Sequence, residues 1–400
     1  MNPAREGGEK GPVEAARAMR GRRGFAFLDS AMAGPGAVSI LACEPDLVLR
    51  GRDWERLEEE LERRARSGEG AGIPTGAAIG RVDYDGEFCF AFHERLHVFV
   101  HDEGRWIDSP EEFEPASEPA EPLRIRFQPR VGRGDFLEMV RRAKEWIAAG
   151  DIYQVCLSHP FEAEASGRAW DFHEALRRCS PAPFAAFLDE GGRRIVSASP
   201  ESFLEMRGRL IRTRPIKGTR PRQADPHNDQ RSSRELLSSD KEIAELVMIT
   251  DLERNDLGRV CDYGSVVVPG LCELEAYQQV FHLVSTVEGR LRSGVSHVEA
   301  LRACFPGGSI SGAPKKRAME IIAELEPFPR GLYTGAIGYF RFNGESHFSM
   351  AIRTAVFEPE RVHFHVGAGI VADSDEESEW RETWHKAAGL LMAAGGDQAH

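Results

Sequence analysis

EFCFAFHE (87–94) sets the fold class. Phe88, Phe90 and Phe92 alternate with Glu87, Cys89 and Ala91, a period of two that belongs to a strand, and the pattern predicts a half-buried strand of an antiparallel sheet. The text before it repeats the device. FAFLDS (25–30), AVSILACE (37–44), PDLVLRG (45–51) and GAAIGRVDYDG (76–86) are short β-type runs separated by Gly, Pro and Asp. Further runs follow at 152–161, 184–190, 193–199, 201–208 and 209–218, and helical patterns near 240–256, 314–326 and 376–392. Strands and helices mix without regular βαβ alternation, so an α+β arrangement of antiparallel layers is expected rather than a doubly wound sheet.

The chain has 400 residues, of which 41% are apolar. Folding at that length removes roughly three-quarters of the unfolded surface from water, so disorder throughout is excluded. Lys and Arg total 51 against 64 Asp and Glu, a net charge of −13, which argues against a nucleic-acid binder but not against local basic pockets for small anions. Seven cysteines lie scattered without a C-x-x-C pair, as expected of reduced thiols in a cytoplasmic protein. No apolar leader and no run of membrane-spanning length is present, so no membrane partner is expected.

Residues 1–23 read as a loose, flexible N-terminal segment, and 24–123 as an N-terminal subdomain ending in an acidic Pro-rich linker, DSPEEFEPASEPAEPL (108–123). A catalytic domain is expected over 124–392, with a tail at 393–400. Trp54–Ser67 reads as an amphipathic helix with Trp54, Leu57 and Leu61 on one side, and Asp135–Ala149 as a helix ended by Gly150.

Two helix starts share one design. Ser239-Asp240-Lys241-Glu242 and Ser374-Asp375-Glu376-Glu377 both fit a capping box, and each helix carries Glu-x-x-Glu: Glu242 with Glu245, and Glu379 with Glu382. Residues three apart share a helix face. Four carboxylates on two helices suit Mg²⁺, which takes hard oxygen ligands and keeps exchangeable waters; they equally suit two solvated faces. FPGGSISGAPKKRAME (305–320) is a Gly/Ser loop entering a helix, able to receive an anion on free N–H groups, but it lacks the ending of a P-loop. VGAGIVADS (366–374) is a second glycine cluster; both also read as tight turns. Arg353, on a β-type run, needs a carboxylate, either of a ligand or of a structural salt bridge. His282 reads as an acid/base group or as a satisfied core histidine.

Together these stretches resemble the chorismate-utilising enzymes, anthranilate synthase and aminodeoxychorismate synthase component I. The resemblance is carried by GDIYQVCLSHPF (150–161), SPAPFAAFL (180–188), SASPESF (197–203), RTRPIKGTRPR (212–222), EIAELVMITDLERNDLGRV (242–260), HLVSTVEG (282–289), FPGGSISGAPKKRAMEII (305–322), GAIGY (335–339), IRT (352–354) and GAGIVADSDEESEWRET (367–383). It implies two antiparallel sheets packed between helix layers, with the active site in a cleft. It also implies Glu245 and Glu382 as direct Mg²⁺ ligands, with Glu242 and Glu379 acting through water. The second substrate carboxylate would meet Arg353, Tyr339 and backbone N–H groups of a Gly367–Ala368–Gly369 turn, with Ser309 lining the site and His282 beside the ring.

Two positions discriminate within the family. Gln154 stands where isochorismate and salicylate synthases carry a water-activating lysine. Lys217 stands in PIKGT where anthranilate synthases resemble PIAGT, and a lysine there resembles aminodeoxychorismate synthases. The resemblance makes Lys217 a nucleophile, favoured as the free base by partial burial, by Arg212 and Arg214 or by the metal, and Glu201 the acid that protonates the departing hydroxyl. Cys156 departs from the family's usual asparagine, and Ser309 replaces a frequent threonine. No glutaminase motif is present, so ammonia is expected from a separate glutamine amidotransferase subunit. A pocket that holds tryptophan in relatives would here involve Leu28, Ser30, Ser180, Pro181 and Phe184. The leading expectation is an aminodeoxychorismate synthase component I serving 4-aminobenzoate and folate synthesis. The alternatives are anthranilate synthase component I and a non-catalytic chorismate- or tryptophan-binding subunit.

Overall fold

In the computed structural model, residues 11–32, 36–65, 76–110, 123–164, 167–277 and 280–396 are described. Their strands form two sheets in which every pairing is antiparallel. Across the first run Gly312–Ala313, Gln154–Glu164, Arg361–Ile370, Thr354–Phe357, Arg194–Ser199, Phe184–Asp189, Ala26–Asp29, Val38–Ala42, His97–Val100 and Arg105–Trp106. Across the second run Ile216–Pro221, Val280–Arg290, Leu210–Arg214, Ser202–Arg207, Glu345–Met350, Ala336–Arg341, Ala77–Val82, Phe88–His93 and Leu47–Gly51. N-terminal strands therefore complete both sheets.

The sheets face each other through Ala26, Ile40, Ile195 and Val356 on one side and Ile79 and Ile337 on the other. Helices cover the outer faces. Pro12–Met19, Ala169–Cys179 and Glu376–Ala393 pack on the first sheet, and Trp54–Arg64, Asp240–Gly258 and His297–Cys304 on the second. This is the expected sandwich of two antiparallel sheets between helix layers. The alternation in 87–94 holds, but the strand is buried on both faces. Phe88, Phe90 and Phe92 pack toward the helix layer, while Cys89 and His93 are buried on the opposite face, with His93 Nδ1 3.2 Å from the Cys43 carbonyl. The second sheet covers the face that alternation alone assigns to water.

At one end the sheets are joined by buried charge. Arg81 of the second sheet lies 2.6 Å from Asp83 and 2.9 Å from Glu190, which follows a strand of the first sheet; Arg193 reaches Asp83 at 3.4 Å.

Several expectations need correction. Within the segment expected to be loose, Pro12–Met19 is a helix whose Ala15, Ala16 and Met19 are buried in the core; residues 1–10 lie outside the described residues. Of the acidic linker, 111–122 lie outside them, and Asp108 at its start is paired with Arg95 at 2.7 Å. The tail begins as core, since Ala393 and Ala394 are buried and the Ala394 carbonyl accepts from the Ile125 N–H at 2.9 Å. Helices Ala169–Cys179, Pro226–Leu237 and His297–Cys304 were not read from the pattern. The 133–149 helix ends as expected, with Gly150 at φ 82°.

Candidate active site

Two helices bring the carboxylates in. The Ser239 side chain accepts from the Glu242 N–H, so Glu242 sits in the first turn of its helix and Glu245 one turn on. The second helix is capped by Asp375, which accepts from the Ser378 N–H at 2.9 Å, and not by Ser374. Ser374 Oγ instead donates to Glu379 Oε1 at 2.7 Å. The other oxygen, Glu379 Oε2, is buried with no partner among the described residues. Burial pushes the Glu379 carboxyl up, against the Ser374 bond, and the nearby Glu382 charge adds to the push. At Glu382 burial is outweighed by Lys386, 2.7 Å away, and by Lys217 and Lys241, so this carboxyl lies below its usual range. Among the described residues no three His, Cys, Asp or Glu side chains are grouped as a metal site; the carboxylates are interleaved with amines.

Lys217 is aimed by a glycine. The strand Ile216–Pro221 pairs with Val280–Arg290, and its register shifts between Lys217 and Thr219. Gly218 takes φ 68°, and a Cβ there would lie 2.6 Å from Leu236 Cδ1 and 3.2 Å from Glu242 Cδ. Only a glycine fits this kink, which brings Lys217 Nζ to 3.6 Å from Glu245. The same amine lies 3.8 Å from where a Cβ on Gly369 would stand. Arg212 and Arg214, expected beside it, are engaged by Glu288 and Glu275. One residue past the kink, Thr219 Oγ1 is 3.0 Å from His282 Nδ1. Burial holds the His282 imidazole below its usual range, and the Arg353 charge works the same way.

Glu201 is buried, and Ser309 Oγ donates to its Oε1 at 2.7 Å. Burial pushes the Glu201 carboxyl up, against the Ser309 bond and the Lys217 and Lys386 charges. Ser309 stands on a single 3₁₀ turn, Gly308–Ile310, and the loop continues into Gly312–Ala313, which pairs with Gln154 and Val155. The glycine loop is therefore partly sheet edge, and its clear contribution is the hydroxyl.

Gly367–Gly369 is not a turn. The strand Arg361–Ile370 runs through it, with Gly367 opposite Ser158 and Gly369 opposite Cys156. The Ser158 N–H is given to Glu326 and the Cys156 N–H to Ser311. Antiparallel pairing alternates bonded and non-bonded positions, so the N–H groups of Gly367 and Gly369 point away from that neighbour. The next strand, Thr354–Phe357, pairs only as far as Phe364 and so does not pair with Gly367 or Gly369. The glycines serve close approach: a Cβ on Gly367 would lie 2.9 Å from the Tyr333 hydroxyl, and one on Gly369 2.8 Å from Gln154 Nε2. Gln154 is buried with its Oε1 unpartnered among the described residues.

Arg353 lies between strands at φ 50°, not within one. No described residue gives its guanidinium a hydrogen bond or ion pair, and burial pushes it below its ordinary value. Of the two readings, the salt bridge is absent among these residues. Arg353 lines a pocket of about 130 Å³ with His282, Ser180 and Pro181. Leu28, Ser30 and Phe184 line an adjoining cavity of about 530 Å³, which shares Met32, Pro183 and Tyr277 with the first, and Tyr339 is on its wall. Tyr339, expected at the substrate carboxylate, thus belongs to the other cavity, and the hydroxyl beside Gly367 is that of Tyr333. Lys386 was also missed. It stands one turn after Glu382, where an i, i+4 pair is legible, and donates to the Gly367 carbonyl at 2.9 Å.

A sequence profile described as chorismate binding enzyme matches residues 54–392. Anthranilate synthase component 1 of Streptomyces coelicolor is 47% identical over 279 residues, 70% of this chain and 55% of that protein. Aminodeoxychorismate synthase component 1 of Salmonella typhimurium is 46% identical over 269 residues, 67% and 59% of the two chains. The chain thus spans somewhat over half the length of these curated relatives. Anthranilate synthase component I from Streptococcus pneumoniae superposes with a TM-score of 0.79 at 32% identity, covering 90% of this chain and 93% of that one. Among the described residues no helix is long and apolar enough to cross a membrane.

Proposed function

The chain belongs to the chorismate-binding enzyme family, and within it we propose that it is an aminodeoxychorismate synthase component I, converting chorismate and ammonia to 4-amino-4-deoxychorismate. The observation that carries this reading is the Lys217 amine, turned by the Gly218 kink into the space between Glu245 and Gly369.

The ε-amine attacks the ring at C2, and the C4 hydroxyl leaves with an allylic shift, taking the Glu201 proton to become water. The buried Glu201, its carboxyl pushed up by burial and held by Ser309, suits a general acid. The adduct nitrogen returns its extra proton to the Glu201 carboxylate. Ammonia then bonds at C4 as the C2–N bond breaks with the reverse allylic shift, and the lysine nitrogen takes the Glu201 proton and leaves as the free amine. The new C4 ammonium gives its proton back to Glu201, so the net exchange is ammonia for water. Arg353 and the Gly367 and Gly369 N–H groups receive a substrate carboxylate, with the Tyr333 hydroxyl in the place expected for Tyr339. His282, neutral, stands beside the ring.

Glu242, Glu245, Glu379 and Glu382 would hold Mg²⁺. The fit rests on their hard oxygen donors and on the partnerless buried Glu379 Oε2. The ion would bind and polarise the ring carboxylate. A separate glutamine amidotransferase subunit would deliver ammonia, and the 530 Å³ cavity at Leu28, Ser30 and Phe184 would take tryptophan.

The relatives divide between two reactions, and the name of the superposed structure favours anthranilate synthase. One assay separates them. Protein with chorismate, Mg²⁺ and ammonium salt, followed by an aminodeoxychorismate lyase, should yield 4-aminobenzoate. Anthranilate formed without the lyase would overturn the reading, as would saturable chorismate binding without product.

A further inference from the structure

Among the buried acids that the reaction above leaves unused, one lies beneath the loop that carries Ser309. Glu253 sits two turns beyond Glu245 on the Asp240–Gly258 helix and is 4% exposed. Thr213 Oγ1 donates to its Oε2 at 2.5 Å. Its side chain lies under the glycine loop: a Cβ on Gly308 would be 3.8 Å from Glu253 Cγ and 3.2 Å from Leu252 Cβ. The next residue, Ser309, is the one that holds Glu201.

One turn further, Asp256 holds the two ends of the same loop together. Its carboxylate is 2.5 Å from Lys315 Nζ, at the start of the following helix, and that amine also donates to the Cys304 carbonyl at 3.1 Å, just before the loop. Two acids on one helix face thus fix the loop from beneath, one at its tip and one at its ends.

The charges around Glu253 are unequal to ionising it. Glu201 and Asp256 add negative charge, Cys304 faces it as a thiol, and Lys315 is the cation, already paired with Asp256. Burial, first, and then the Glu201 and Asp256 charges push the Glu253 carboxyl up to about 8, against the Thr213 bond. A carboxylate under Gly308 would be a buried charge without a counterion.

We propose that Glu253 is a positioning residue that works as a neutral carboxylic acid, seating the Gly308–Ser309 turn so that Ser309 stays on Glu201. Its ionisation would place a second negative charge beside Glu201 as that acid gives up its proton. This rests on the assignment of Glu201 as the acid of the proposed reaction, but the protonation of Glu253 does not.

The test has two readouts. In infrared difference spectra of Glu253→Gln against wild type at pH 7, a neutral carboxyl band should be lost; loss of a carboxylate band instead would overturn the proposal whatever reaction the protein performs. In steady-state assays with chorismate and ammonium, Glu253→Gln, which can still accept from Thr213, should keep kcat within about threefold. It should also move the alkaline fall of kcat upward by about one pH unit or more. Glu253→Ala should lower kcat about 30-fold or more with KM little changed. A Gln variant as impaired as the Ala variant would show that the charge is needed, and an unmoved alkaline limb would show that Glu253 does not titrate there. Both overturn it.

Discussion

The cleft and the junction at Arg81 are both buried and charged, yet their charges are arranged in opposite ways. At the junction Arg81 meets Asp83 and Glu190, and Arg193 adds to Asp83, so the charges are matched within the protein. In the cleft Arg353 has no partner among the described residues, Glu379 Oε2 has none, and the Gly367 and Gly369 N–H groups are not paired by the strand Thr354–Phe357. Desolvation is costly for every one of these groups. Where the protein supplies the counter-charge, the group holds the fold; where it does not, the group is set for a ligand carrying that charge. The proposed substrate, a dianion, together with the proposed divalent cation would be complementary to this imbalance.

Lys217→Ala should lower formation of 4-amino-4-deoxychorismate at least about 10³-fold while leaving the urea midpoint nearly unchanged, since the amine makes one long contact to Glu245. Product formed at the wild-type rate and ring position would remove the nucleophile from the account. Arg81→Ala should do the reverse. It leaves the buried Glu190 without its cation and Asp83 with Arg193 alone, and should cost about 3–5 kcal/mol in urea denaturation, with kcat per folded molecule unchanged. Smaller again is Arg353→Ala, which should raise KM for chorismate about 100-fold with little change in stability. A destabilised Arg353→Ala protein with wild-type KM would mean that this arginine is structural after all.

How much of this was legible follows from range. The helix caps at Ser239 and Gly150, the amphipathic helix from Trp54 and the Glu-x-x-Glu pairs are local patterns, and the sequence showed them. The second covered face of 88–93 was hidden, because alternation reports one apolar face and cannot tell whether Cys89 and His93 meet water or a second sheet. Arg353 and Gly367–Gly369 were found as residues but with the wrong backbone. A glycine reads as a turn, whereas here it keeps a Cβ off Leu157, Tyr333 and Gln154 on neighbouring elements. Tyr333 stands two residues before the GAIGY run that ends at Tyr339, and only the fold shows that Tyr333 meets Gly367 while Tyr339 lines the larger cavity. The Ser309–Glu201 bond and Glu253 beneath it depend on contacts more than forty residues apart.

His173 is the opposite case, a buried ring with an unpartnered nitrogen that no ligand is set to meet, and its effect is the weakest of the four. His173 is 1% exposed, its Nε2 has no partner among the described residues, and its ring packs against Phe27, Trp170 and Phe187. Burial pushes this imidazole down to about 4 from 6.5. Unlike Arg353 it can shed its charge, so it is stable as the neutral base. Between pH 6.5 and 4 the unfolded chain binds a proton there that the folded chain does not. Its contribution is therefore fully present above pH 6.5 and lost as pH falls toward 4. His173→Phe keeps the aromatic contacts and removes the titration. The drop in unfolding free energy from pH 8 to pH 5 should shrink by about 1–2 kcal/mol, read from urea midpoints at the two pH values. An unchanged drop would mean that His173 keeps its proton inside the fold, and that a cation without a counter-charge is not by itself the mark of the cleft.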